Sequence, residues 1–301
     1  MSLHWFKSFG LQALFFDELR VFVQPRRIVI LRLTRTIKTG LKQIVVHKQV
    51  IEIPQNIEPV GTNADQTQSL YQNLIHCLRL VLSHKKWQGA VPTVIVSNHF
   101  VRYAVIPWNI ELAVESERQA YMQHCFSLAY GDVAKTWDLR MSEPVFGQPA
   151  IASGIHLGLL QALQSVFAEF DMKLTAVHPH LMLAINQTVT QVNKQKRVLT
   201  FWLVAIQNGR VCLTLLENGG WRSVKNVAIE ADVSEQVAAL IQRETVNCNV
   251  KFEAPVLLYW PESHHAQPLK LAEQKTIKIL PHPFDLQNSQ TSNASVNWLP
   301  I

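Results

Sequence analysis

No uninterrupted apolar run of about 18 residues occurs in this 301-residue chain, so the sequence predicts no helix that spans a bilayer. A secretory leader is not expected either. Leu3, Trp5, Phe6, Phe9, Leu11, Leu14, Phe15 and Phe16 form an apolar stretch, but no basic segment precedes it and no small-residue cleavage site follows. Lys7 is the single cation within it, too few for the polar face of a bilayer-surface helix, so packing against protein is expected. Cysteine is sparse. Cys77, Cys125, Cys212 and Cys248 show no CxxC or other metal-ligand spacing and sit among apolar neighbours, which reads as buried thiols in a reducing compartment. Charged residues make up only 17% and hydrophobic ones 48%, and no low-complexity block dominates, so disorder is not the default. There is no GxSxG, no Walker loop and no GxGxxG. His264-His265 and His178-Pro179-His180 lack both the i, i+4 spacing and the acidic companion of a zinc hydrolase. No catalytic residue, metal site or cofactor is expected.

What charge there is lies unevenly. Residues 1–60 hold nine Lys or Arg against four acids, so most of the formal net charge of +6 belongs to the N-terminal part. Such a surface suits anionic lipid head groups, an acidic partner or nucleic acid, whereas a solvated strand face explains the same residues without any partner. Arg26, Arg27, Arg32 and Arg35 with Trp5 and Phe22 fit the basic and aromatic mixture of a base-stacking groove. Alternating basic residues on strands are more commonly a solvated face, and nucleic acid is not expected.

The hydrophobic pattern supplies the architecture. Leu19 to Ile53 alternates as three strands broken at Gln24-Pro25 and Thr39-Gly40. After a polar loop over 54–66, Leu70, Leu74, Cys77, Leu78 and Val81 recur at helical spacing, and Pro92 to Val96 reads as a strand buried on both faces. Strand Val101–Ile106, helix 111–130, and strands Lys135–Met141 and Pro149–Ile155 follow. Then come an amphipathic helix over 156–170, strand Lys173–Val177, and a short helix from Leu181 to Asn186. Polar residues 187–196 read as a crossing. Beyond them Val198–Ile206, Arg210–Leu216 and Trp221–Ile229 are strands joined at Asn208-Gly209 and Asn218-Gly219-Gly220. A helix over 232–246, capped by Asp232 or Ser234, leads to strand Pro255–Trp260. Strand, strand, strand, helix, strand occurs twice, which predicts a pseudo-duplicated α/β fold of two lobes.

Two such βββαβ units are the ribonuclease H-like lobes of actin-like ATPases, and the stretches Gln148–Leu163 and Phe170–Asn186 resemble a segment of the PilM family of pilus proteins. They are similar too to the cytoplasmic part of GspL, a type II secretion protein, and to the MSHA pilus protein MshI. The resemblance implies a first lobe over 1–190 with a small α+β subdomain inserted at about 101–155, a second lobe over 191–285 and a polar tail over 286–301. PilM and the division protein FtsA carry their extra subdomain at that place, as an interaction surface. GspL continues into a membrane helix, and the polar end of this sequence makes the wholly cytoplasmic PilM the nearer analogue.

Actin-like ATPases hold phosphate and Mg²⁺ in two Asp-x-Gly hairpins, one per lobe. Here Phe22 and Gln24 stand in the first, and Ala205 and Gln207 in the second, where no acid is present. The adenosine-side glycines after Tyr259 are replaced by Trp260-Pro261-Glu262-Ser263. The resemblance with these losses implies a pseudo-ATPase scaffold at the inner membrane of a type IV pilus or type II secretion-like system. Its expected partner is a short N-terminal peptide of a membrane-anchored platform protein, with a secretion ATPase docking elsewhere. Self-association and contact with the inner-membrane surface are compatible with that role. Asn98, Arg102, Tyr103, Trp108 and Trp137 are the expected partner-binding residues, since Arg, Tyr and Trp are enriched in interface hot spots. A nucleotide enzyme with an altered site and a basic nucleic-acid-binding protein are the alternatives.

Overall fold

The computed structural model describes residues 17–35, 43–54, 63–112, 114–143, 145–194, 200–230, 232–250, 253–261 and 276–279. The first three strands, β1 (Glu18–Gln24), β2 (Arg27–Arg35) and β3 (Gln43–Glu52), pair antiparallel. Gln24 lies opposite Arg27, so Pro25 and Arg26 alone close the first hairpin. Helix α1 (Asn63–Leu82) crosses the sheet and β4 (Val91–Val96) returns parallel to β1, the direction its continuous apolar run predicts. Next, β5 (Val101–Ile106), α2 (Glu115–Tyr130), β6 (Trp137–Met141) and β7 (Ala150–His156) build a separate antiparallel sheet of order β5-β7-β6. Helix α3 (Leu157–Ala168) then carries the chain back to β8 (Ala176–Pro179), parallel to β4. The first large sheet has the order β3-β2-β1-β4-β8.

Helix α4 (His180–Lys194) leads into β9 (Phe201–Gln207), β10 (Arg210–Glu217) and β11 (Gly220–Ala228), again an antiparallel meander. Helix α5 (Val233–Asn247) precedes β12 (Val256–Tyr259), parallel to β9, and β13 (Thr276–Lys278) completes the order β11-β10-β9-β12-β13. The two large sheets therefore share one topology, as the doubled element order predicts. Asn218 and Gly219 both have positive φ, 52° and 81°, the geometry that a two-residue turn between right-twisted strands demands.

All seven residues of β1 and all seven of β9 are buried, as befits the middle strand of a layered sheet. On one face of the first sheet Leu19, Val21, Val23, Ile28 and Ile30 share a core with Leu74 and Leu78 of α1 and Leu159, Leu163 and Phe167 of α3. Burying each leucine stabilises the fold by about 1.5–3 kcal/mol relative to exposure. On the other face Phe22, Val29, Leu31 and Ile95 meet Leu183 of α4, while the same helix packs on β9 and β12 of the second lobe. The helix between the lobes is thus shared by both sheets. The outer face of the second sheet is closed by α5, whose Val237, Leu240 and Ile241 pack with Trp202, Val204 and Leu213. Asp232 caps that helix, its carboxylate accepting from the N–H groups of Ser234 and Glu235.

Several boundaries differ from the sequence reading. Helix α1 starts at Asn63, inside the expected loop, and α4 continues to Lys194 through most of the expected crossing. Val189 and Val192 keep α4 turned inward at helical spacing, and Thr188 returns its hydroxyl to the Ala184 carbonyl. Strand β8 begins at Ala176 because Thr175 spends both its N–H and its hydroxyl on the Pro92 carbonyl. Residues 3–16, the tail from 286 and the Trp260 loop beyond Pro261 lie outside the described residues.

The inserted sheet has its own small core, in which Phe126 and Met122 of α2 cover Ile106, Leu139 and Ala152. Gly154 sits under this helix. A Cβ there would lie 2.8 Å from Leu139 Cδ2, 3.0 Å from Trp137 Cε3 and 3.2 Å from Phe126 Cε1. Gly154→Val is expected to cost about 1–3 kcal/mol by forcing these rings apart, read as a lowered midpoint in urea denaturation; an unchanged midpoint contradicts the packing.

Candidate functional site

An aromatic ring stands two residues before the end of β1, at the position where the resemblance to actin-like ATPases leads one to look for a carboxylate. Phe22 is 2% exposed and stacks on the imidazole of His180, centroid to centroid 5.1 Å with the planes 23° apart. His180 opens α4, and its ring lies 5.8 Å from that of Tyr259 at the end of β12. These three buried rings come from the first lobe, the shared helix and the second lobe. Together they carry a stack of rings from one lobe to the other. Gln24 is buried at the strand end, and Pro25 takes a backbone N–H out of the turn that would face a phosphate.

The second hairpin is tied across the seam. Gln207, 2% exposed, accepts at Oε1 from Ser97 Oγ at 3.0 Å and from the Asn98 backbone N–H at 2.9 Å. Ala205 beside it is fully buried. Asn226 of β11 donates through Nδ2 to the carbonyls of Asn98 (2.7 Å) and Val101 (2.9 Å). Tyr103 donates its hydroxyl to Asn98 Oδ1 at 2.7 Å, and Tyr130 of α2 donates to the Tyr103 carbonyl at the same distance. One hydrogen-bonded chain therefore runs from the second lobe, through the β4–β5 turn, into the inserted subdomain. Burial pushes the Tyr103 hydroxyl well above its usual pKa, so it stays a donor.

This placement corrects part of the expected partner surface. Asn98 and Tyr103 are 1% and 3% exposed, so their side chains hold the seam and do not face solvent. Arg102 is half-buried and donates to the carbonyls of His99 and Val101. Trp137 packs its ring edge-on against Tyr130 (5.2 Å) and Phe126 (6.3 Å), inside the subdomain core. Trp108 alone of the five stands well exposed. It flanks a small open hollow, lined also by Ile106, Leu112, Tyr121, Met141 and Gln148. Phe146, 79% exposed, meets Trp108 edge-on at 5.2 Å, and Ile110 and Val145 extend the apolar patch. Phe146 was legible only as an apolar residue ahead of a glycine turn; its partnership with Trp108 needs the fold.

Two of the basic N-terminal residues are structural. Arg20 is buried and pairs with Glu18 and Gln43, and Arg32 bonds Asp17 at 2.6 Å and the carbonyls of Lys86 and Gln88. Phe22 is sealed in the core and cannot stack a base, and Trp5 lies outside the described residues. Cys212 is buried, with its thiol pushed up to about 12 by desolvation, whereas Cys77, Cys125 and Cys248 are half-buried. Among the described residues no three His, Cys, Asp or Glu side chains gather at metal-binding spacing.

The sequence matches no protein-family model and no curated relative. Solved structures are similar at the level of fold. The cytoplasmic domain of EpsL, an inner membrane component of the type II secretion system of Vibrio cholerae, is 10% identical with a TM-score of 0.55, over 88% of this chain and 90% of that one. A PilM–PilN type IV pilus biogenesis complex is 9% identical at a TM-score of 0.56, over 81% of each chain. A Bacteroides thetaiotaomicron protein with an actin-like ATPase fold and unknown function is 7% identical at 0.51, over 86% of this chain and 87% of that one. The chain has the actin-like ATPase fold.

His99 sits in the same seam, its Nδ1 2.8 Å from Ser97 Oγ. Burial first, and then the charge of Arg210, bring its pKa down from 6.5 to about 4, with a hydrogen bond to the Asn208 backbone pulling the other way. The unfolded chain thus takes up this proton near pH 6.5 and the folded chain only near pH 4. The stability contributed by the neutral ring is whole above the first value and is lost as pH falls through the second. Wild type is expected to lose about 3 kcal/mol more than His99→Gln between pH 7 and pH 4, measured by urea titration at each pH; parallel pH profiles contradict this.

Proposed function

We propose that this chain is a non-catalytic cytoplasmic scaffold of a type IV pilus or type II secretion-like inner-membrane assembly platform. The observation that carries the reading is the pair of altered hairpins. Phe22, His180 and Tyr259 stack from one lobe to the other, and Gln207 is committed to Ser97 and Asn98, so the hairpins at which the fold's ATPases hold phosphate present aromatic and amide groups in place of carboxylates. What survives is shape. Two of the fold's relatives, EpsL and PilM–PilN, are by their names components of secretion and pilus systems, which supports the assignment to an assembly platform.

In this reading residues 1–190 are the first lobe, 101–155 the inserted subdomain that meets the partner, and 191–285 the second lobe. The partner is a membrane-anchored protein that presents a short cytoplasmic N-terminal peptide. Its seat is the hollow beside Trp108, where an exposed Trp–Phe pair supplies anchors and Asn109 and Gln148 supply a polar rim. In this reading the partner supplies the attachment; among the described residues no helix is long and apolar enough to cross a membrane. A secretion ATPase docks on another face.

Trp108→Ala is expected to weaken binding of the N-terminal peptide of the adjacently encoded single-pass membrane protein by about tenfold or more, in fluorescence polarisation. Equal affinity for wild type and variant excludes this seat, and no binding by either excludes the partner.

A further inference from the structure

The hollow beside Trp108 is bordered by two loops of matching composition. The loop between β5 and α2, residues 107–114, exposes Trp108, Ile110 and Val114, and the loop between β6 and β7, residues 142–149, exposes Val145 and Phe146. Single exposed apolar side chains need no explanation, but here two loops join where Trp108 meets Phe146 ring against ring at 5.2 Å. Each loop also holds one acid, Glu111 in the first and Glu143 in the second, and neither loop holds Lys, Arg or His. In a chain whose formal net charge is +6, this apolar surface carries only negative charge of its own.

The cations around it are already matched. Arg118, which lines the hollow from α2, bonds Glu115 at 2.6 Å, and Arg140 of β6 bonds Asp138 at 2.8 Å. Arg222 of β11 lies 3.6 Å from Glu217. Glu111 and Glu143 are exposed, and among the described residues neither forms an ion pair. Two carboxylates beside an apolar surface strengthen attraction for a cation, because field lines concentrate where water is displaced. The same two charges oppose docking on a bilayer, since the cytoplasmic leaflet is itself negative.

We propose that the hollow selects a basic amphipathic segment, one that seats an apolar side chain on Trp108 and Phe146 and sets Lys or Arg beside Glu111 and Glu143. This rests on the peptide-seat reading above and names the chemistry of its occupant. Cytoplasmic segments next to a membrane span are rich in Lys and Arg, so a membrane-anchored partner supplies this charge from its own topology. The apolar contact sets how long the segment stays, and the acidic rim sets how fast it arrives and which segments are refused.

The test uses two fluorescein-labelled synthetic peptides with the same Leu-Leu-Phe centre, one flanked by Lys and one by Glu, titrated against the full chain by fluorescence polarisation. At low salt the Lys peptide is expected to bind at least about tenfold more tightly, and the difference to shrink as the ionic strength rises to about 0.5 M. A double variant, Glu111→Lys with Glu143→Lys, is expected to reverse the preference, whereas Trp108→Ala weakens the Lys peptide by about tenfold or more. Should the double variant fail to fold, the salt dependence of the wild-type preference still decides. Binding of neither peptide, equal binding of both at low salt, or a preference that the folded double variant leaves intact overturns the proposal. So does Trp108-dependent sedimentation with phosphatidylglycerol vesicles, which makes the occupant a bilayer, or a Trp108-dependent dimer in analytical ultracentrifugation, which makes it a second copy of this chain. Equal binding of the two peptides, with Trp108→Ala still weakening both, removes the charge selection alone; binding indifferent to Trp108→Ala removes the seat itself.

Discussion

The side-chain oxygen of Gln207, taking hydrogen bonds from Ser97 and Asn98 where no water reaches, is the contact on which the relation between the lobes depends. A buried backbone N–H without an acceptor costs about 1–3 kcal/mol, so Asn98 holds the second hairpin in place as firmly as the hairpin holds Asn98. Phe22, His180 and Tyr259 join the lobes through buried rings as well, and Asn226 adds two further bonds from the edge of the second sheet. A fold whose ATPase relatives keep an open cleft for a metal-bound nucleotide has here become one continuous core. Its largest cluster includes Val21 of the first lobe, Leu181 of the shared helix and Leu203 of the second lobe.

That rigidity has a use. The inserted subdomain carries the apolar hollow, and strand β11 of the second lobe lies beside its β5. Tyr130 and Tyr103 continue the seam's hydrogen bonds into the subdomain itself. A surface mounted in this way presents Trp108 and Phe146 in a fixed geometry, and preorganised anchors bind a flexible peptide with less entropy left to lose. The same mounting explains why Asn98 and Tyr103, residue types suited to an interface, serve an interface between parts of one chain.

Much of the fold was legible because its central strands are extreme in composition. β4 read as a strand buried on both faces from its aliphatic run, β1 and β9 read as strands from their hydrophobic pattern, and the Asn218-Gly219 turn announced its positive φ angles. Polar helix ends were not legible: the first turns of α1 carry little apolar periodicity, and at the end of α4 only Val189 and Val192 mark the inward face among polar residues. Strand β13, three residues long, has no pattern to read; it exists because Val256 and Leu258 offer it a ladder. Of the site, the absence of an acid at Phe22 and Ala205 could be seen in the sequence. What replaced the acids could not. His180 read as a histidine near a proline, and only the meeting of α4 with β1 and β12 shows it wedged between two aromatic rings.

The central claim is that this cleft keeps the outline of a nucleotide site while having lost the means to hold a metal-bound nucleotide. The most direct measurement is equilibrium binding of ATP to the intact chain with and without Mg²⁺. Affinity that is indifferent to the metal, with no turnover, agrees with an aromatic stack and a committed Gln207. Tight binding that appears only when Mg²⁺ is added would contradict it.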